Sequence, residues 1–396
     1  MEVKDVMIPP LDGIRVVENA SFVSGPYAGM LLADLGATVI KVERPGTGDP
    51  LREAPAWSDD SPPPFAAYNR NKSSVTIDLK KDGGRAVYER LVGGCDVVIE
   101  NFRPGTLDRL GVGYEGFRER YPALVYCSIT GQGATGPHSH HPTYDAIAMA
   151  RSGLWSLLTD LRNPKAIGPV FSDQLAGLFG AMGVCAALLA RQQTGRGQRV
   201  ALSLLTATMA FIPDPIAHLA MLGKVDDLSS RARRSQSHAF VSSDGLPLTV
   251  HLSSLDKFWH RLTVAIGHPE LEGDARFATH VDRVQNYDAM HAVLSRVFST
   301  RSRREWLEAL DMNDVPAAPI HDIAEALADA DENDQSVLRS YGNTEQTRLA
   351  GLPFRFEGDD SVRPACPHVG EHTDSVLAGL GYSKREIRRL RSEHAV

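Results

Sequence analysis

The sequence predicts an α/β fold in which helices cover both faces of a parallel sheet, followed by a smaller α+β domain. Over the first 130 residues, short β-rich runs alternate with helical patterns. Several of these runs are apolar on both faces, which is typical of parallel strands buried between two helical layers. A hairpin pattern and further helical patterns follow beyond residue 225. We therefore expect a doubly wound large domain and then a second, smaller domain.

Five strands and two helices are predicted in the first part of the chain. The β-rich runs predict strands over Ile14–Glu18, Thr38–Glu43, Ser73–Leu79, Asp96–Glu100 and Ala123–Ile129. Helical patterns between them predict helices over Pro26–Gly36 and Gly83–Leu91.

A long helix is predicted from Asp173 to Arg191, and small residues recur along it. Each glycine inside a helix costs about 1 kcal/mol relative to alanine, so we expect this helix to pack closely against another helix or a ligand. A second helical pattern runs from Val200 to Phe211, where Pro213 and Pro215 interrupt it.

The charged stretch Lys224–Arg234 marks the predicted start of the second domain. Beyond it, Asp244-Gly245 lies between two β-rich runs, which is a hairpin signal. Three helices are then predicted, over Leu255–Ile266, Tyr287–Phe298 and Ser302–Asp311. Trp259 and Trp306 have apolar neighbours at helical spacing and are predicted to lie in the core. We place a large domain at residues 1–224, a small α+β domain at 225–325 and a C-terminal segment at 326–396.

The C-terminal segment is predicted to be mainly connecting structure. This interpretation covers Ile323–Leu338 and the glycine- and proline-containing tail, with one last helix near Lys384–Ser392.

Composition indicates an ordinary globular protein of a reducing compartment. The chain has 396 residues, 42% of them hydrophobic, and a net charge of −7, so it lacks the basic field that recruits nucleic acid. Its four cysteines are far apart, which is typical of a cytoplasmic protein. The N-terminus, MEVKDVMIPPLDG, does not resemble a signal peptide, and the apolar run Leu178–Ala190 is too short for a membrane span.

The first strand–helix–strand unit is not a nicotinamide site by its sequence. Its loop reads SFVSGPYAG, without the GxGxxG that lets the backbone approach a pyrophosphate, although Glu43 closes the second strand. Gly25-Pro26 is explained by a helix start, whose N-terminus still favours an anion.

Several cations lie near predicted strand ends, where ligands of open α/β sheets bind. They are Arg44, Arg70, Lys72, Lys80, Arg103 and Arg109. Such a set either belongs to the solvated surface or binds a phosphorylated ligand, since Arg pairs well with phosphate oxygens.

Asp173 opens the long helix after the apolar pair Val170-Phe171. One interpretation is an ordinary first-turn carboxylate. The other is a poorly solvated nucleophile that the helix dipole keeps ionised, as covalent catalysis by aspartate requires.

Two further polar clusters have open interpretations. His138-Ser-His140-His141 lacks the helical pair of histidines that metal sites use, so we expect no metal there. Arg231, Arg233 and Arg234 belong either to a solvated turn or to a site for a substrate carboxylate.

An ordered set of motifs resembles the class III (formyl-CoA transferase-like) CoA-transferases, to which the alpha-methylacyl-CoA racemases are related. The matching stretches are LDGIRVVENASFVSGPYAGMLLADLGATVIKVERPGTGDPLR, NRNKSSVTIDLK, DVVIENFRPGTLDRLGVGYE, SITGQGATGP, TYDAIAMARSG, SDQLAG, TGRGQRVALSLL, VPAAPI and GEHTDSVLAGLGYS. They run in order from about residue 11 to the C-terminus.

The resemblance implies a Rossmann-like large domain and a small domain in an interlocked homodimer, with the C-terminal segment returning to the large domain. It implies acyl-CoA and a carboxylic acid as substrates, with no metal. Asp173 matches the catalytic aspartate, Phe22 and Val23 the loop over the CoA thiol end, and Tyr144 and Asp145 the segment facing the thioester. The positions that match those holding the CoA nucleotide and pantetheine are Arg44, Leu79, Lys80, Asn101, Phe102, Arg103 and Arg109.

Two departures narrow the implied activity. Racemases carry a histidine base where this chain has Tyr144, and an unperturbed tyrosine is a poor base at neutral pH. Residues 225–245 lack the glycine-rich stretch of the formyl and oxalyl branch, which argues against formate or oxalate.

The expected activity is CoA transfer through an aspartyl anhydride and an aspartyl-CoA thioester. A 2-methylacyl-CoA racemase and a non-catalytic acyl-CoA-binding protein stay open as alternatives. The sequence alone does not name the acids.

Overall fold

The computed structural model describes residues 8–53, 61–253, 255–342, 348–357 and 363–396. The N-terminal stretch that does not resemble a signal peptide lies mostly outside the described residues, since residues 1–7 are not among them. The described residues form two compact units, the first from Met1–Trp155, Ala166–Pro213 and Val337–Val396, the second from Ser156–Lys165 and Asp214–Ser336. The second unit extends beyond the predicted small domain at both ends.

The first unit is built on a six-stranded parallel sheet with the order β3-β2-β1-β4-β5-β6. Its strands are β1 (Arg15–Asn19), β2 (Thr38–Glu43), β3 (Ser73–Thr76), β4 (Val97–Glu100), β5 (Val125–Thr130) and β6 (Arg199–Ser203). The five strands predicted from apolar runs are confirmed. The strand order reverses between β1 and β4, and such a reversal opens a crevice at the carboxyl ends of the strands.

Helices cover both faces of this sheet, as predicted. The helices of the first unit are α1 (Ser24–Asp34), α2 (Pro63–Asn69), α3 (Asp82–Val92), α4 (Thr106–Arg109), α5 (Tyr114–Phe117), α6 (Asp145–Ser152), α7 (Ser172–Thr194) and α8 (Leu204–Phe211), then α16 (Thr373–Gly379) and α17 (Lys384–Ser392) near the C-terminus. One apolar cluster packs α1 and α7 against the sheet, and another packs α3 and α17 against its other face. Short 3₁₀ helices span Pro50–Arg52 and Leu154–Leu157.

The small residues of α7 are explained by its packing on α1. A Cβ atom at Gly177 would lie 2.7 Å from the carbonyl oxygen of Ser24, closer than side-chain carbon atoms come to backbone. The expectation of close helix packing is therefore confirmed.

The prediction of a helix over Val200–Phe211 is wrong for its first four residues. Residues Arg199–Ser203 form β6, which pairs with β5 at the edge of the sheet, and the helix starts only at Leu204. Ser203 and Thr206 form a capping box at that point, and this local signal separates strand from helix.

The second unit contains a three-stranded antiparallel sheet and several helices. Its strands are β7 (Ser237–Val241), β8 (Pro247–His251) and β9 (Ala317–Pro319). Its helices are α9 (Pro213–Leu222), α10 (Ser230–Ser235), α11 (Leu255–Ala265), α12 (His280–Gln285), α13 (Tyr287–Phe298), α14 (Arg303–Met312) and α15 (Ile323–Glu332), with a 3₁₀ helix at Pro269–Gly273. The predicted hairpin and three helices are confirmed, and Trp259 and Trp306 are 3% and 1% exposed in the core.

The prediction of connecting structure over Ile323–Leu338 is wrong, because most of this stretch is α15. Asp322 caps the helix and Glu325 completes a capping box. The described tail also contains a two-stranded sheet of β10 (Leu338–Ser340) and β11 (Arg348–Ala350).

By length and composition, α7 is apolar enough to span a membrane, as are α8 and α9 taken together. Core helices satisfy the same criterion, and α7 packs on β5 and β6 through Ala176, Ala181 and Val184.

Candidate active site

A cavity of about 810 Å³ lies in the first unit, at the carboxyl ends of the parallel strands. Its wall is made of the segments that follow the strands, together with the start of α7 and one residue of the C-terminal tail. The predicted residues that line it are Phe22, Arg44, Leu79, Lys80, Asn101, Phe102, Arg103, Tyr144 and Asp173. The chain folds so that residues as far apart in sequence as Asn19 and His394 share this wall.

Three of the residues matched by resemblance do not line the cavity. Val23 is buried as it enters α1. The exposed Arg109 side chain donates to Thr106 Oγ1 at 3.3 Å. Asp145 is the first residue of α6, and its Oδ1 accepts a hydrogen bond from the Asp173 backbone N–H at 3.2 Å.

Three exposed cations line the cavity from the segments that follow strands β2, β3 and β4. Arg44 follows β2, Lys80 lies in the turn after β3, and Arg103 follows β4. Arg70 and Lys72, which belonged to the predicted cationic set, are instead buried in ion pairs. Lys72 Nζ lies 2.6 Å from Glu18 Oε2, and Arg70 Nη2 lies 2.7 Å from Asp34 Oδ2. These two residues precede β3, at the opposite end of the strand from the cavity, and burial lowers the pKa of Lys72 to about 8.

A buried ion network supports the loop between β1 and α1. Lys41 Nζ lies 3.0 Å from Glu18 Oε1 and 2.9 Å from Asp49 Oδ2. Burial opposes the charge of Lys41, but these carboxylates outweigh it and raise its pKa. Asp49 Oδ1 accepts the Phe22 backbone N–H at 3.2 Å, which holds Phe22 at a φ of 62°. The Phe22 ring then makes an edge contact with Tyr144 at a centroid distance of 5.7 Å.

Asn101 fixes the same loop from the end of β4. Its Oδ1 accepts the Ser21 N–H at 3.0 Å, and its Nδ2 donates to the Ser21 carbonyl at 2.7 Å. Glu43 is also engaged within the chain, since its carboxylate binds Arg52 at 2.7 Å. Burial opposes ionisation of Glu43, yet the Arg52 and Lys41 charges keep its pKa below the ordinary value.

Asp173 differs from these paired carboxylates. Burial, and secondarily the negative charge of Asp145, raise its pKa from 3.8 to about 7. The poor solvation that the second interpretation expects of Asp173 agrees with this shift, whereas desolvation and the like charge both oppose the ionisation that the helix dipole favours. At neutral pH, Asp173 exchanges between a neutral acid and a poorly solvated carboxylate.

The sequence reasoning missed three parts of the wall. Residues 46–48 follow β2 and fall under the same strand-end rule as Arg44. Ser139 and His141 come from the long loop after β5. His394 comes from the C-terminal tail, and no local signal connects it to this edge of the sheet.

In the two remaining clusters, His138, His141, Arg233 and Arg234 have partners within the chain. His138 Nδ1 lies 3.3 Å from His141 Nδ1, and among the described residues no group of three or more His, Cys, Asp or Glu is arranged to hold a metal. Arg233 binds Asp288 at 2.9 Å, and Arg234 binds Asp226 at 2.8 Å.

Comparisons with known proteins agree with the motif resemblance. The family model described as CoA-transferase family III matches residues 11–373. The chain is 33% identical to acetyl-CoA:oxalate CoA-transferase of Acetobacter aceti, over 91% of this chain and 93% of that protein. It is 34% identical to succinate–glutarate CoA-transferase of Agrobacterium fabrum, over 94% and 96% of the two proteins. A CaiB/BaiF family protein from Brucella suis matches the structure with a TM-score of 0.83 at 33% identity, over 94% of this chain and 100% of that chain. The chain therefore belongs to CoA-transferase family III and is an enzyme of the CoA-transferase type.

Proposed function

We propose that this enzyme transfers coenzyme A from an acyl-CoA donor to a carboxylic acid through covalent intermediates on Asp173. The observation that carries the proposal is the position of Asp173. Its carboxyl group is poorly solvated and lines the same cavity as three exposed cations.

The cations suit the phosphate-bearing end of acyl-CoA. Arg44, Lys80 and Arg103 lie on loops after β2, β3 and β4, and none of them has an ion-pair partner among the described residues. Charge-assisted hydrogen bonds to phosphate are stronger than neutral ones. Asp173 lies by contrast on α7, which packs on β5 and β6, so an extended ligand would reach it from the phosphate site along the strand ends.

The first half of the reaction makes an enzyme-bound CoA thioester. The Asp173 carboxylate attacks the carbonyl of the donor thioester, a C–O bond forms, and the C–S bond breaks to leave an aspartyl–acyl anhydride and a thiolate. The thiolate then attacks the aspartyl carbonyl of the anhydride. This step releases the donor acid as a carboxylate and leaves Asp173 as a thioester.

The second half reverses these steps with a new acid. The acceptor carboxylate attacks the aspartyl thioester and forms a second anhydride with Asp173. The released thiolate attacks the acceptor's carbonyl, which frees the Asp173 carboxylate and the new acyl-CoA. The acyl bond stays activated throughout, so the site must keep water away from Asp173, and its partial burial supports this.

The relatives' names specify oxalate and glutarate, which are both dicarboxylic acids. These names support small dicarboxylic acids as the first acids to test as substrates of this enzyme. The missing glycine-rich stretch still argues against oxalate itself.

We also propose a homodimer located in the cytoplasm. Leu178, Met182 and Leu189 lie on one face of α7 and are 49%, 60% and 62% exposed. An exposed apolar face of this kind favours burial against a second copy of the chain. All four cysteines are free, which supports a reducing compartment.

The test is peptide mapping after incubation with a panel of acyl-CoAs in the presence of hydroxylamine, which traps activated carboxyl groups. We expect a hydroxamate on Asp173 and none in Asp173→Ala. Turnover of Asp173→Ala should fall by roughly 10⁴-fold or more, with CoA binding retained. Asp331→Ala, which removes an exposed aspartate of α15, is the matched control.

Three results would contradict the proposal. Turnover that survives in Asp173→Ala removes the covalent role. No label combined with deuterium uptake by a 2-methylacyl-CoA in heavy water indicates a racemase. CoA binding without label or exchange indicates a binding protein.

A further inference from the structure

The C-terminal tail is fixed beside the cavity by its last residues. Ala395 and Val396 are 1% and 8% exposed and belong to the apolar cluster under α3 and α17. The Ala395 carbonyl accepts the Asp78 backbone N–H at 2.9 Å. The tail is therefore tied to the turn after β3, two residues before Lys80.

His394 has a backbone conformation that is unfavourable for its side chain. It follows the end of α17 with a φ of 53°, and its N–H donates to the Arg391 carbonyl at 3.0 Å. Glycine is the usual residue at this position after a helix, and asparagine is the next most tolerant, because a Cβ atom crowds the backbone there. Outside glycine this conformation is uncommon, although histidine is among the residues enriched in it, and such residues often cluster at functional sites.

His394 is exposed and lines the cavity together with Leu79 and Lys80. Its imidazole makes no hydrogen bond or ion pair with any residue that the structure describes. An imidazole always carries at least one N–H donor. A donor without a partner among the described residues thus belongs to a residue of the same cavity wall as an exposed cation.

We propose that His394 donates a hydrogen bond to the phosphate-bearing nucleotide end of acyl-CoA and acts there with Lys80. This inference rests on the proposed function, and it adds to the binding site a residue that only the folded tail brings there. The unfavourable backbone conformation is then retained because the imidazole is used in binding.

The decisive variant is His394→Gly, because it relieves the backbone while removing the imidazole. We expect the KM for acyl-CoA to rise about five- to tenfold, as for loss of one hydrogen bond to a charged group. The KM for the matching acyl-pantetheine, which lacks the nucleotide, should not change. The thermal unfolding midpoint should stay the same or rise. A residue with a purely structural role would show no difference between the two thioesters.

Two further variants control the comparison. His394→Asn keeps a side chain that tolerates this conformation but shortens the reach of its N–H donor, so we expect a smaller loss of acyl-CoA affinity than in His394→Gly, without loss of stability. His260→Ala removes an exposed histidine of α11 and should change neither KM. An unchanged KM for acyl-CoA in His394→Gly, or an equal rise for both thioesters, would overturn the inference.

Calorimetric titration with CoA separates this inference from the proposed function. If the wild type binds CoA more tightly than His394→Gly but forms no adduct on Asp173, only the proposed function fails. If the wild type forms the adduct and both proteins bind CoA equally, only the role of His394 fails.

Discussion

The two sides of the cavity differ in how well their charged groups are solvated. On the β2–β3–β4 side, Arg44, Lys80 and Arg103 are exposed to water. On the α7 side, the Asp173 carboxyl is desolvated and has Asp145 as a neighbour, so its charge is costly. Under the proposed function, the first side attracts an anion, whereas the second keeps a carboxylate poorly stabilised and therefore reactive.

After the loss of turnover in Asp173→Ala, the largest expected effect tests the cationic side. The double variant Arg44→Ala/Arg103→Ala should raise the KM for acyl-CoA roughly 100-fold with a smaller change in kcat, at about tenfold for each charge-assisted hydrogen bond lost. Steady-state kinetics with one acyl-CoA and one acid measures it.

Arg109 and Arg118 sharpen this test. Arg109 matches a CoA contact by resemblance but does not line the cavity, so Arg109→Ala should raise the KM less than Arg44→Ala. Arg118→Ala, which removes an exposed arginine paired with Glu115, should have no effect. An unchanged KM in the double variant would identify the cations as ordinary surface charges.

The next effect concerns the cost of charge on the α7 side. The native pKa of Asp173, about 7, lies above its ordinary value of 3.8, so the native state binds this proton more tightly than the unfolded state does. Stability is therefore lost as the pH rises from about 4 through 7. Asp173→Asn is neutral throughout, and we expect it to be more stable than the wild type by about 2 kcal/mol at pH 8.

Urea unfolding between pH 4 and pH 8 measures this difference, which should shrink as the pH falls. Asp331→Asn, on the exposed surface of α15, should follow the wild type at every pH. A stability difference that does not depend on pH would show that Asp173 is not desolvated.

The smallest effect concerns the influence of Asp145 on Asp173. Asp145→Asn keeps an oxygen that can accept the Asp173 N–H and removes the negative charge. The carboxylate form of Asp173 should then be favoured, so the acid limb of the pH profile of turnover moves to lower pH. At pH 6 we expect activity relative to the plateau to rise about two- to threefold. A shift in the opposite direction would contradict the like-charge effect.

Sequence patterns located one side of the cavity better than the other. Carboxyl ends of parallel strands meet at one edge, so residues that directly follow β2 and β4, such as Arg44 and Arg103, could be assigned to a ligand site from the sequence. The same reasoning failed for Arg70 and Lys72, since a position just before β3 lies at the other end of the strand. The position of Asp173 on a helix carried no such rule. The pattern left a first-turn carboxylate and a nucleophile both open, and the resemblance favoured the nucleophile.

The sequence by itself determined the parallel sheet, the packing of α7 through small residues and the family, because local periodicity and motif order are written in the chain. Only the tertiary structure decided the pKa of Asp173, which depends on burial and on a neighbour 28 residues away. It also decided which charges are internal ion pairs and placed His394 on the same cavity wall as Lys80. These features arise from contacts between distant segments, and a local pattern carries no information about the distance between them.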